Sequence, residues 1–131
     1  MILVDSSVWI DYLRGIETAP SRRLDDLMGE RQISTADLIL AEVLQGAVSD
    51  RDFNFILALM SELPILRVGG REVAIEAAAN YRLLRARGIT VRKTIDALIA
   101  TYCILHSTPL LFQDRDFDPF VEHLGLVSAM A

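Results

Sequence analysis

Four carboxylates stand where this chain should be apolar. Asp5 follows the run "MILV" with no turn residue between them, and Asp114 stops a second such run, "LLFQ". Glu42 lies inside "ILAEVLQ" and Asp96 inside "TIDALIA", while Asp116 and Asp118 follow in "DRDFDPF". A carboxylate is among the side chains least often buried unless it is paired or holds a metal, so acids in such surroundings need a positive partner. If gathered, they repel one another by about 4 kcal/mol per pair at about 4 Å, even at an effective dielectric of about 20. Lys93 is the basic residue nearest the start of the segment bearing Asp96, and it has no clear reason to point inward. The expected counter-charge is therefore a bound hard cation. Oxygen ligands from Asp and Glu suit Mg²⁺ or Mn²⁺, whereas His106, His123 and Cys103 fall at no zinc-like spacing. One or two such ions can polarise a phosphodiester, lower the pKa of a bound water and stabilise the leaving oxygen, which is nuclease chemistry.

These acids can cooperate only if the fold brings them to one edge. "MILV" has the unbroken apolar character of a strand covered on both faces, and Ser6 or Ser7 is expected to cap a short helix through "VWIDYL" that Gly15 ends. "PSRRLDDLMGE" reads as a helix, "RQIST" as a strand, and "ADLILAEVLQGA" as a helix on which Glu42 shares a stripe with Leu38 and Gln45. "RDFNFILALMSEL" and "REVAIEAAANYRLLRARG" read as helices around a strand-like "PILRVG". Thr94 is expected to cap "IDALIATYCILH", and "LLFQD" gives a last core strand before one helical turn and a short terminal strand. Alternation of this kind implies an α/β fold, a central parallel sheet flanked by helices. In such a sheet the C-terminal ends of strands and the N-terminal ends of helices share one edge. Asp5, Asp114, Asp96 and Glu42 are all expected there, with Asp116 able to join them and Asp118 serving as a surface or cap residue.

The 131 residues fit one domain, 1–131. A net charge of −5 would argue against a nucleic-acid partner, but the five clustered acids account for the whole excess. Apolar residues make up 52% of the chain, so part of its surface is expected to meet another chain. Trp9, Tyr12 and Leu13, and Phe53, Ile56, Leu59 and Met60, give more apolar stripe than one small core needs, although most of them are expected to be core. No window matches a membrane span or a signal peptide, and the lone Cys103 suits a reducing compartment, so a cytoplasmic protein with no membrane contact is expected. His106 and His123 are placed to end helices. The stretch "RLLRARGITVRK" is either a solvated helix face or a holder of an RNA backbone.

With "ILVDSSVWIDYL", "AEVLQG", "IDALIA" and "LLFQDRDFD" in this order and spacing, the chain resembles the PIN-domain ribonucleases, specifically the VapC toxins of bacterial and archaeal toxin-antitoxin pairs. The resemblance implies an acidic quartet of Asp5, Glu42, Asp96 and Asp114 holding Mg²⁺ or Mn²⁺, with Asp5 and Asp96 as direct ligands and Asp116 as an auxiliary acid. It also implies a hydrogen bond within the site from Ser6, a cognate VapB-type antitoxin, an RNA substrate and a toxin homodimer. Phe112, followed by Gln113, departs from the small polar residue that many relatives carry two positions before the last acid. Two other readings stand beside this one, a structure-specific DNA nuclease and a non-catalytic module of the same fold that binds a partner. Phosphotransferases that start with a strand-end aspartate fit poorly, because residue 7 is a serine where one class wants a second acid, and the other class wants an acidic pair near the start and a strand-end lysine, which are absent.

Overall fold

The computed structural model describes residues 1–130, so the last residue of the expected 1–131 domain lies outside it. Four short strands, β1 (Ile2–Val4), β2 (Ile33–Ala36), β3 (Ile65–Leu66) and β4 (Leu110–Leu111), form one sheet in the order β3-β2-β1-β4. Every pairing is parallel, with Leu3 opposite both Ser34 and Leu110, and Thr35 opposite Ile65. Parallel neighbours need crossover connections. These are supplied by α1 (Ser6–Leu13) and α2 (Ala19–Glu30), then by α3 (Asp37–Gln45) and α4 (Asp50–Ser61), and finally by α5 (Arg71–Ala86) and α6 (Thr94–Leu105). A 3-10 turn at Arg115–Phe117 and α7 (Asp118–Leu124) follow β4, and the terminal strand expected after them is reduced to a single parallel bridge between Ser128 and Leu110. The α/β architecture with a central parallel sheet is as the alternating pattern implies.

β1 is covered on both faces as its composition requires, with Leu3 and Val4 fully buried. The chain passes from β1 into α1 with no intervening turn, so Asp5, extended at φ −70° and ψ 156°, is itself the N-cap. Its carboxylate accepts from the backbone N–H of Ser7 at 3.2 Å and from Ser7 Oγ at 2.7 Å. Neither serine is the cap, because both already lie within the helix. Thr94 likewise begins α6 rather than capping it, Lys93 taking the cap position without a side-chain bond.

Of the apolar residues on α1 and α4, Trp9, Ile56 and Met60 are buried, Tyr12, Leu13 and Leu59 are half-buried, and Phe53 is exposed. Cys103 is buried in α6, and burial pushes its thiol up to about 12, which fits a packing residue.

The end of α5 sets the approach to α6. Gly88 N–H bonds to the carbonyl of Arg85 at 3.0 Å, and Ile89 N–H to that of Leu84 at 2.9 Å, with Gly88 at φ +82°. That pair of bonds is a Schellman closure, which needs a left-handed residue at this position. Gly88→Ala is expected to cost about 1 kcal/mol in urea unfolding without loss of fold, because a Cβ there meets no atom within 4 Å and only the dihedral is unfavourable.

Candidate metal centre

The C-terminal end of β1 and the N-terminal end of α6 deliver two buried acids to the same place. Asp5 is 3% exposed and Asp96, in the first turn of α6, is 5% exposed. Ser7 engages Oδ2 of Asp5, while its Oδ1 has no hydrogen-bond partner among the described residues, and neither has Oδ2 of Asp96. Asp114 caps the 3-10 turn, its Oδ1 accepting from the N–H of Asp116 at 2.9 Å. One oxygen each from Asp96, Asp114 and Asp116 lie within 4.8 Å of one another. Glu42 reaches the edge from the second turn of α3, held by Ser6 Oγ, which donates to Oε1 at 3.1 Å.

The electrostatics record this crowding. Burial raises the carboxyl of Asp96 to about 7, with further push from Asp5, Asp114 and Glu42 and partial relief from Lys93. Asp5 is raised chiefly by burial, against the hydrogen bonds from Ser7, and Asp114 adds to the rise. Glu42 is raised by burial and by Asp5, less the effect of the Ser6 bond. Asp114 alone among these is lowered: burial opposes the change, but the Asp116 N–H and the Lys93 ammonium overcome it.

The structure therefore gathers Asp96, Asp114 and Asp116 most tightly, with Asp5 and Glu42 electrostatically coupled to them, and Ser6 bonds to Glu42. Asp118 stays outside, exposed in the first turn of α7. His106 and His123 sit at the ends of α6 and α7, as expected from their positions. Phe112 is half-buried with its ring centroid 5.2 Å from that of Phe117, so it packs beneath the 3-10 turn instead of supplying a polar group.

Two expectations need correction. Lys93 does turn inward: its Nζ lies 2.9 Å from Oδ2 of Asp114 and 3.8 Å from Oδ2 of Asp116, and Arg92 lies 3.1 Å from Oδ1 of Asp116. The extended backbone before α6 lets both side chains cross to the 3-10 turn, where unneutralised acids attract them. The signal was present in "VRKTID", which sets two cations within four residues of Asp96. The second concerns Glu42, whose stripe borders the core instead of facing it: Ile39 and Val43 are buried, Leu38 and Glu42 half-buried, and Gln45 exposed. Ser7, expected from the sequence only as a candidate helix cap, instead orients Asp5, and its Oγ accepts from the N–H of Gln113 at 3.4 Å.

The donor set fits a hard divalent cation. It is all oxygen, it leaves buried carboxylate atoms unpartnered, and it holds more negative charge than two exposed cations neutralise. Before an ion enters, that charge works against the fold. A carboxyl whose folded value exceeds its unfolded one binds its proton more tightly in the native state, so native stability falls as pH rises from the unfolded value of 3.8 through about 7 for Asp96. Asp5 and Glu42 act in the same direction, and Asp114, already ionised, contributes no change above its unfolded value. In EDTA the protein is expected to melt about 2–5 °C lower at about pH 8 than at about pH 5.5, on the order of 1 kcal/mol after allowance for solvent screening. Scanning calorimetry checks this, and a higher melting point at the alkaline end contradicts it.

A family model described as the PIN domain matches residues 2–121. Ribonuclease VapC11 of Mycobacterium tuberculosis is 33% identical over 131 residues, covering 98% of this chain and 98% of its own. Ribonuclease VapC32 of the same species is 36% identical over 67 residues, about half of each chain. Solved structures that share the fold include VapBC2 from Rickettsia felis bound to a DNA fragment from its promoter, at TM-score 0.73 and 18% identity, and a toxin-antitoxin complex from Klebsiella pneumoniae, at 0.72 and 19%. Each alignment covers 98% of this chain and 97% of the other.

Proposed function

The chain belongs to the PIN-domain family, and from that membership we propose that it is the ribonuclease toxin of a VapBC-type pair, an endoribonuclease that cuts RNA at its acid cluster with Mg²⁺ or Mn²⁺. The observation that carries the metal-dependent reading is the pair of buried, unpartnered carboxylate oxygens on Asp5 and Asp96 beside the close trio of Asp96, Asp114 and Asp116. No apolar or hydrogen-bonding role within the fold accounts for them.

Asp5, Glu42, Asp96 and Asp114 would hold the ion, with Asp116 as an auxiliary acid. A bound Mg²⁺ or Mn²⁺ supplies a Lewis acid that polarises a phosphodiester and acidifies water. The chain's own residues fix the geometry. Ser7 engages one oxygen of Asp5 and leaves the other without a partner, and Ser6 holds Glu42 in one orientation. Burial of Asp5 and Asp96 keeps the cluster in a low dielectric, where its interactions with a cation are strongest. The 3-10 turn brings Asp114 and Asp116 to the same edge, with the Asp116 N–H donating to the Asp114 carboxylate.

A VapB-type antitoxin and a second copy of the chain are the expected partners. The exposed Phe53 and Phe55 on α4 and the half-buried Tyr12 and Leu13 on α1 offer apolar surface that fits such contacts. Of the solved structures that share the fold, the one from Klebsiella pneumoniae is described as a toxin-antitoxin complex and the one from Rickettsia felis as VapBC2 bound to promoter DNA. No described helix is long and apolar enough to cross a membrane, which accords with a cytoplasmic single-domain toxin.

Purified protein freed of antitoxin, incubated with total cellular RNA and Mn²⁺, is expected to give discrete fragments that disappear in EDTA and with Asp5→Asn. RNA left intact while a duplex or branched DNA is cut would favour the DNA-nuclease reading. A folded protein that binds metal and cuts neither would favour a partner-binding module.

A further inference from the structure

The proposed chemistry leaves two cations unexplained. Lys93 and Arg92 lean on the acids, yet their side chains are 58% and 78% exposed, so charge alone holds them there. Lys93 contacts Asp114 and Asp116, two of the three residues whose oxygens lie within 4.8 Å of one another. The lone pairs of Asp114 Oδ2 that receive the ammonium are the ones a divalent ion would take. An ion of twice the charge, coordinated by the buried Asp96 as well, outcompetes an ammonium on a flexible, solvated stem. Once displaced, the lysine remains at the lip of the site. There a chain of net charge −5 must admit a polyanion to a cluster of carboxylates, and a local positive pair is what a phosphate needs in order to approach.

We propose that Lys93 is an exchangeable counter-ion: its ammonium neutralises Asp114 and Asp116 when the divalent ion is absent, and after displacement by the ion it binds, with Arg92, a phosphate of the RNA strand beside the scissile bond. The inference rests on the metal-dependent nuclease reading above. It assigns to this lysine two ligands that cannot be held at once, a protein carboxylate before loading and a substrate phosphate after it. The empty-handed enzyme therefore presents a partly neutralised edge, and the loaded one presents cations to RNA.

The test uses the full chain, wild type and Lys93→Met, with Arg115→Ala as control. Arg115 is exposed on the same turn but makes no ion pair among the described residues, so its loss removes a nearby charge without removing the contact. Mn²⁺ alone is titrated into each protein by calorimetry at fixed pH and salt. Cleavage of a synthetic RNA matching a fragment that the wild type cuts is then measured in saturating Mn²⁺. Lys93→Met is expected to bind Mn²⁺ about three- to tenfold more tightly without RNA, as loss of a competing ion pair predicts, and to show a KM about tenfold higher with kcat within about twofold. Arg115→Ala is expected to match the wild type in both. Mn²⁺ affinity in Lys93→Met that equals or falls below that of the wild type, or an unchanged KM, overturns the proposal. If the wild type binds Mn²⁺ and cleaves while the lysine variant matches it, this inference alone falls. If the wild type does neither, the nuclease reading falls and takes this one with it.

Discussion

Asp96→Asn is expected to lose at least about a hundredfold in RNA cleavage and yet to melt higher than the wild type in EDTA. The two effects share one cause. The fold buries a carboxylate beside Asp5 and near Asp114 and Glu42, and it resists the charge strongly enough to raise the group to about 7. Asparagine preserves the volume and one acceptor oxygen but carries no charge. It therefore removes repulsion from a native state that has nothing buried to balance it, and it removes a ligand from the set that would hold the cation. Sites of this kind trade stability for function. The gain at about pH 8 should approach the stability that the wild type loses between about pH 5.5 and 8, on the order of 1 kcal/mol. A gel assay for cleavage and a thermal melt in EDTA check both halves. A variant that cleaves like the wild type removes Asp96 from the site, and one that melts lower shows that its charge is already compensated within the fold.

Phe117→Ala is expected to lower the unfolding free energy by about 3–5 kcal/mol, a large part of the roughly 5–15 kcal/mol that such a domain has. Phe117 is fully buried at the end of the 3-10 turn, and its ring meets that of Phe112. Truncation leaves a void beneath the turn that presents Asp114 and Asp116. Phe117→Leu retains most of the apolar volume and should lose less than half as much. Urea unfolding of the three proteins measures the difference. A cost below about 1 kcal/mol for the alanine variant would mean that the turn is not anchored from below.

How far the sequence reaches is clearest around these residues. The runs "MILV" and "LLFQ" announce strands because strands buried on both faces leave no alternation, and each is followed by an acid that the core does not want. Together with the rule that helix N-termini lie at the same edge as the strands' C-terminal ends, that logic is enough to expect Asp5, Asp96, Asp114 and Glu42 on one side of the sheet. It did not reach the details set by phase and by distant contacts. β4 is only two residues long, because Phe112 leaves the ladder to pack on Phe117. Glu42 lies at the border of its helix's buried face because α3 begins at Asp37, which turns Ile39 and Val43 inward. The side-chain cap on α1 comes from Asp5 itself, since three consecutive residues, Asp5, Ser6 and Ser7, are all good caps and only the strand's exit angle chooses among them. The nearness of two cations to Asp96 in "VRKTID" signals that they turn toward the acids, but the choice of Asp114, 21 residues from Lys93, is a distant contact that local pattern does not encode.

The sheet order places the first strand made between the second and the last. β1 gains β2 early, but its other neighbour, β4, starts only at Leu110, and the acids that follow it are at positions 114 and 116. A growing polypeptide on the ribosome therefore carries Asp5 and Glu42 for most of its synthesis without the second half of their cluster. Contacts of such long sequence separation also form late in folding. The proposed ribonuclease is thus born inert, and a chain broken off anywhere before the fourth strand releases a fragment that has no assembled acid cluster with which to cut RNA.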